Sequence, residues 1–267
     1  MPRDKVKLFI IDPQEDFCNP KGNLYVPGAD EDMRRLAAMI MGNLNDIGDI
    51  NVTLDSHNKV HIAHPIWWVD SNGKHPDPFT LISEEDVLSG KWRAYNSGFQ
   101  ERSLKYVQAL KANGRYLLCI WPEHCLIGTP GHNVVPEIMD SFLAWESKFR
   151  LVNKVTKGSN LYTEHYSAVK ADVEDPEDKT TMLNDKLVGA LEDGDEDIII
   201  AGEALSHCVA NTIIDVADEF SADQVERFVL LTDAASNVAG FEHLGKDFID
   251  KMTAKGMRLS TTDTYFK

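Results

Sequence analysis

The sequence predicts an α/β protein: a doubly wound, mostly parallel sheet of about six strands with helices on both faces. Three observations carry that prediction. Short apolar, β-rich runs alternate with longer stretches of helical spacing, the pattern of successive βαβ units. The apolar runs are nearly continuous, as in strands covered on both faces. The chain has 267 residues with 43% hydrophobic content, enough for one sizeable core, so one domain is expected over residues 1–267.

The elements follow in order. A polar start at 1–7 leads into a first strand at 6–12, where Leu8-Phe9-Ile10-Ile11 runs directly into Asp12. Residues 30–44 have the apolar spacing of a helix, and 51–55 read as a second strand. Residues 65–102 mix Pro, Gly, Trp and charge without a period, so they are expected to form an insertion or lid. Trp67, Trp68 and Trp92 within it are read as packing or interface residues. Helical spacing resumes at 103–112, and strand 116–120 is followed by helix 134–149. Strand 151–155, helix 178–191, strand 197–203, helix 206–220, strand 227–233 and helix 243–255 complete the alternation, with a weaker strand at 258–263.

Charge and composition exclude several functions. With 27 basic and 43 acidic residues the net charge is -16, which repels polyanions, so neither nucleic acid nor an anionic membrane surface is expected as a partner. The acidic blocks at 174–178 and 192–197 read as solvated loops. No apolar run is long enough for a signal-peptide core or a membrane span. Four cysteines without an export signal suggest reduced thiols and a cytoplasmic setting.

In an open parallel sheet, ligands bind at the carboxyl ends of the strands. Asp12 ends the first strand, Asp55 and His57 follow the second, His124 the third and Lys157 the fourth, while Cys208 opens the helix after the fifth. Cys208 is expected near a helix N-terminus, where the dipole favours thiolate; the alternative is a buried, inert thiol. A cysteine attacking an amide needs a group that takes its proton and returns it to the leaving amine, and a nearby cation. Asp12 and Lys157 could supply both, although Asp12 taken alone also reads as a cap and Lys157 as a surface lysine. Asp55, His57 and His124 form a carboxylate and two imidazoles suited to a borderline divalent ion. His61 and His64 read either as a further ligand or as hydrogen-bonders of the loop.

Several motifs stand in order along the chain: Asp12-x-Gln14-x-Asp16-Phe17, Asp55-x-His57, Trp121-Pro122-x-His124-Cys125-x-x-Gly128-Thr129-x-Gly131, Lys157-Gly158, Tyr166-Ser167-Ala168 and His207-Cys208-Val209. Together they resemble the nicotinamidase branch of the isochorismatase-like cysteine hydrolases, a Rossmann-like three-layer fold. The resemblance implies hydrolysis of nicotinamide or a close aromatic carboxamide to the acid and ammonia. Cys208 would be the nucleophile, Asp12 the proton shuttle and Lys157 the stabilising cation. It further implies one divalent transition metal on Asp55, His57 and His124, zinc first, with manganese or iron as alternatives. Phe17 and Trp121 would flank the substrate ring. Backbone N–H groups of Ala204 and Cys208 would form the oxyanion hole, with a cis peptide between Glu203 and Ala204. The expected partner is a small-molecule substrate, and a homo-oligomer is left open. Glu203 stands where the family is usually apolar, Ser206 replaces a common Asp, and Pro13 follows Asp12. Rival readings are a metal-independent relative acting on another small amide or ureido compound, and a non-catalytic small-molecule binder.

Overall fold

Six strands pair in parallel in the central sheet of the computed structural model, which describes residues 5–114 and 116–267. They are β1 (Val6–Ile11), β2 (Ile47–Asp55), β3 (Asn153–Lys157), β4 (Ile198–Gly202), β5 (Phe228–Leu231) and β6 (Arg258–Ser260). Their order across the sheet is β6-β5-β4-β1-β2-β3. The chain therefore builds outward from β1 through β2 to β3, then returns to the other side of β1 and builds β4, β5 and β6. The reversal falls between β1 and β4, the switch point at which open α/β sheets form their ligand crevice. Of the polar start expected at 1–7, residues 1–4 lie outside the described residues.

Every residue of β1 and of β4 is buried, which requires cover on both faces. The longer helices around the sheet are α1 (Ala29–Gly42), which packs on β4, α2 (Gln100–Asn113), α3 (Pro136–Glu146), α4 (Asp185–Glu192), α5 (Ala210–Glu219) and α6 (Glu242–Ala254). Helix α1 buries Ala29, Met33, Leu36, Ala37 and Ile40, one stripe at helical spacing, and packs on α3, while α5 packs on α6. No described helix is long and apolar enough to cross a membrane.

Register brings the strand ends level. Ile11 lies opposite Gly202 and Asp55 opposite Lys157. Gly202 has φ 116, and a Cβ there would come within 2.0 Å of the Ile11 carbonyl oxygen. Only glycine lets β4 turn away so close to β1.

Two expectations change. The run at 116–120 is not a strand of the main sheet: only Leu118–Cys119 is extended, pairing antiparallel with Leu81–Ile82. Its apolar side chains are explained by burial outside the sheet, with Leu118 and Ile120 almost fully covered. The unperiodic segment 65–102 is built of short pieces, including a strand pair (Trp68–Val69 with Arg93–Ala94) and a helix at Glu84–Leu88 with a Ser83 capping box. Trp67 stacks on Phe99 at 5.0 Å and donates to Ser103 Oγ, and buried Trp68 donates to the Ile62 carbonyl. Both tryptophans are packing residues, and neither lines the crevice.

Candidate active site

Strand β1 delivers Asp12. The chain turns at once, with Asp12 at φ 46, and its N–H is held by the Thr53 carbonyl at 3.2 Å and Thr53 Oγ1 at 3.1 Å. The Thr53 hydroxyl in turn donates to Asp12 Oδ1 at 2.5 Å. Strands β2 and β3 set Asp55 and Lys157 side by side. Lys157 Nζ lies 2.9 Å from Asp12 Oδ2, 3.1 Å from Asp55 Oδ1 and 3.5 Å from Cys208 Sγ. Far from a surface lysine, it is 3% exposed. A buried ammonium persists only when paired, and two carboxylates pair this one.

Cys208 follows β4 in a short π-helical turn, Leu205–Val209, that runs into α5. Burial works against the thiolate that a helix start would favour. Burial pushes the thiol well above its usual value, Lys157 offsets only part of that, and Asp12 and Asp55 push it further up. The resting group is the thiol, and Asp12 stands beside it as an acceptor. Burial also raises the Asp12 carboxyl, against the pull of Lys157 and the Thr53 hydroxyl. A raised carboxyl is a stronger base than a solvated one, which suits proton transfer from sulfur.

On the far side of Lys157, Asp55 Oδ2 faces His57 Nε2 at 2.9 Å and His124 Nε2 at 3.2 Å. Burial would raise Asp55, but His57 and Lys157 hold it well below the usual carboxylate range. The ligand atoms of Asp55, His57 and His124 lie within 4.8 Å of one another. His57 and His124 turn Nδ1 to the carbonyls of Gly158 (3.0 Å) and Pro122 (2.8 Å), which leaves each Nε2 to face Asp55. Metal-binding imidazoles are oriented in this way, and the buried His57 Nε2 is turned towards Asp55 Oδ2 and, farther off, Glu164. Two imidazoles and a carboxylate so placed fit a divalent transition ion. His61 is different: its Nε2 meets the Thr163 carbonyl at 3.1 Å and its Nδ1 accepts from the Ala63 N–H at 3.2 Å, so it acts as a loop hydrogen-bonder here. His64 anchors Nδ1 on the Lys59 carbonyl.

His124 reaches the site although its segment is outside the main sheet. The His57 N–H donates to the Cys125 carbonyl at 3.1 Å and the Ile127 N–H to the His57 carbonyl at 3.0 Å, docking this loop on the chain that continues from β2. Two motif residues hold it there. Gln14 takes the Asp55 N–H and donates to the Asp55 carbonyl, both at 2.7 Å, and also donates to the His132 carbonyl beyond the loop at 3.0 Å, while Asp16 Oδ2 accepts the Cys125 N–H at 2.6 Å.

A crevice opens above these groups, lined by Phe17, Trp121, Tyr166, His207, Leu24 and Val238 around Cys208 and Ala204. Trp121 Nε1 donates to the Tyr166 hydroxyl at 2.9 Å. The Glu203–Ala204 peptide is cis, as expected. The Ala204 carbonyl accepts from the N–H groups of His207 and Val209. Sequence reasoning missed Glu164, a buried carboxylate on the crevice wall 3.9 Å from His57 Nε2, although it stands two residues before the Tyr166-Ser167-Ala168 motif. It also missed the lining roles of Leu24, Val238 and His207, the last being adjacent to Cys208.

No family model matches the chain. The nicotinamidase of Saccharomyces cerevisiae is 28% identical over 212 residues, 79% of this chain and 81% of that protein. The solved structure of the yeast nicotinamidase bound to the inhibitor nicotinaldehyde aligns with a TM-score of 0.67 at 21% identity, over 96% of this chain and 99% of that one. The pyrazinamidase of Pyrococcus horikoshii in complex with zinc aligns with a TM-score of 0.55 at 18% identity, over 96% and 99%.

Proposed function

We propose that this chain, a member of the nicotinamidase branch of the isochorismatase-like cysteine hydrolases, hydrolyses nicotinamide to nicotinic acid and ammonia through a thioester at Cys208. The observation that carries this reading is the contact of Asp12, Lys157 and Cys208 beneath an aromatic crevice. Phe17 and Trp121 are assigned to the two sides of a pyridine ring, with its carboxamide over Sγ. As sulfur attacks the carboxamide carbon, its proton passes to Asp12. The S–C bond forms and the C=O π pair moves to oxygen, where the N–H groups of Ala204 and Cys208 receive the charge. Asp12 then returns the proton to nitrogen, the C–N bond breaks and ammonia leaves. A water molecule gives its proton to Asp12 and attacks the thioester, the C–S bond breaks, and the thiolate recovers the proton. Throughout, Lys157 keeps the negative charge shared by Asp12 and sulfur compensated.

Asp55, His57 and His124 are assigned to a divalent transition metal, zinc first among zinc, manganese and iron. When bound, such an ion supplies coordination for a ring nitrogen or ordered water. The whole chain is read as one hydrolase unit. Segment 65–102 is read as an outer wall of the crevice, since its Phe79 meets the edge of Trp121 at 5.7 Å.

The test is ammonia release from nicotinamide, set beside a panel of aliphatic and ureido amides, with elemental analysis and a chelator arm. Release from nicotinamide above the rest, about one transition metal per chain, and loss of activity in a folded C208A variant are expected. An active C208A variant sinks the mechanism. Preference for a ureido substrate by metal-free protein sinks the substrate assignment.

A further inference from the structure

We propose that Glu203 is a positioning residue for the oxyanion hole: its carboxyl group, which accepts the Ser236 N–H, fixes the Ala204 N–H. The inference rests on the hydrolase reading above. Glu203 is fully buried and has no part in the proton transfers proposed above. Its Oε2 accepts the Ser236 N–H at 3.0 Å, while the Ser236 carbonyl accepts the Leu205 N–H at 2.7 Å. One residue of the loop after β5 thus holds the chain on both sides of Ala204. The Glu203 N–H is tied to the Ile11 carbonyl at 2.8 Å, so the same short turn is anchored to the strand that presents Asp12. Flanked in this way, the Ala204 N–H makes no hydrogen bond among the described residues and is free for a ligand oxygen.

The clamp has a protonation state. Burial, then Asp32, pushes the Glu203 carboxyl well above the usual carboxylate range. Asp32, from α1, is itself engaged: Ser236 Oγ donates to its Oδ2 at 2.5 Å, and Arg35 pairs with its Oδ1. Cys18 is the other titratable group that senses Glu203, and burial holds it as a thiol. Burial thus favours the neutral form of Glu203. Its Oε2 accepts the Ser236 N–H, while the Ser236 hydroxyl turns to Asp32, so one residue links the two carboxyl groups. An apolar residue would fill the same space but leave the half-buried Ser236 N–H without its partner.

The test compares Glu203→Gln with Glu203→Met, using kcat, KM and the affinity for nicotinaldehyde. Addition of Cys208 to the aldehyde gives a tetrahedral adduct whose oxygen needs the hole. Affinity for nicotinic acid serves as the control. The Gln variant keeps an acceptor for Ser236 and a donor for Asp32 and should behave like the parent. The Met variant should lose kcat and aldehyde affinity in parallel, by roughly 10- to 100-fold for a misplaced donor, with KM and acid affinity little changed. If the Met variant does not fold, Glu203→Asp, one methylene too short for Ser236, takes its place. A folded Met or Asp variant with parental kcat and aldehyde affinity overturns this inference alone. A parent chain with neither amidase activity nor an aldehyde adduct overturns the hydrolase reading, and this inference with it.

Discussion

Among the described residues Lys157 is the cation shared by Asp12, Asp55 and Cys208, so its replacement by Met tests the electrostatics of the site as a whole. Lys157→Met preserves length and apolar stem but leaves two carboxylates, 0% and 3% exposed, with no cation between them. Breaking a buried ion pair from one side costs about 3–5 kcal/mol. Asp12, whose carboxyl is already raised by burial, limits the loss by taking up a proton, so the deficit depends on pH. With a folded pKa above its unfolded value of about 3.9, Asp12 makes the folded state bind more protons, and stability falls as pH rises from the unfolded value through the folded one. Lys157 in the parent has the same sign in a higher window: its folded pKa is also raised, and its contribution is complete below its unfolded value of about 10.4, hence constant between pH 5 and 8 in these assays. The deficit of the variant should therefore be small near pH 5 and approach its full size at pH 8. Urea denaturation of chelator-treated protein, followed by tryptophan fluorescence, measures it. Equal stability at pH 8, or a deficit independent of pH, would refute the claim that Lys157 compensates buried charge.

Two further substitutions separate the proton shuttle from the metal loop. Thr53→Val removes the hydroxyl that donates to Asp12 Oδ1 at 2.5 Å and lowers its pKa; the acid limb of kcat/KM should move to higher pH, and an unmoved limb would show that Asp12 is not the base. Gly131→Ala places a Cβ 2.1 Å from Asp16 Oδ2, forcing Asp16 off the Cys125 N–H; a stability loss of about 1–3 kcal/mol and a 10- to 100-fold weaker zinc affinity by competition titration are expected, and parental zinc affinity would exclude Asp16 as the support of the His124 loop.

The fold was legible where burial on two faces leaves a continuous apolar run, as in Leu8-Phe9-Ile10-Ile11 and the Ile198–Gly202 strand. It was less legible where polar residues interrupt a strand. β2 begins at Ile47 rather than at residue 51 because pairing with Val6 extends it through Gly48 and Asp49, which carry no strand signal of their own. The apolar run at 116–120 shows the converse: its hydrophobicity reports burial, and burial alone does not say whether the partner is the main sheet or Leu81–Ile82.

The same limit governs the site. Residues at the ends of parallel strands are brought together by topology, so Asp12, Asp55, Lys157 and Cys208 could be collected from sequence order. The charge state of each could not, since it depends on how dry the group is and what faces it. A helix start argues for a thiolate at Cys208, yet burial against two carboxylates outweighs it. Glu203 reads as an anomaly beside apolar neighbours until Ser236 and Asp32 appear at its carboxyl. In both cases, elements distant in sequence decide the protonation state, and that state determines what the group can do. In the mechanism proposed above, Cys208 gives its proton to Asp12 in order to attack, whereas the part proposed for Glu203 is to hold the Ser236 N–H beside Ala204.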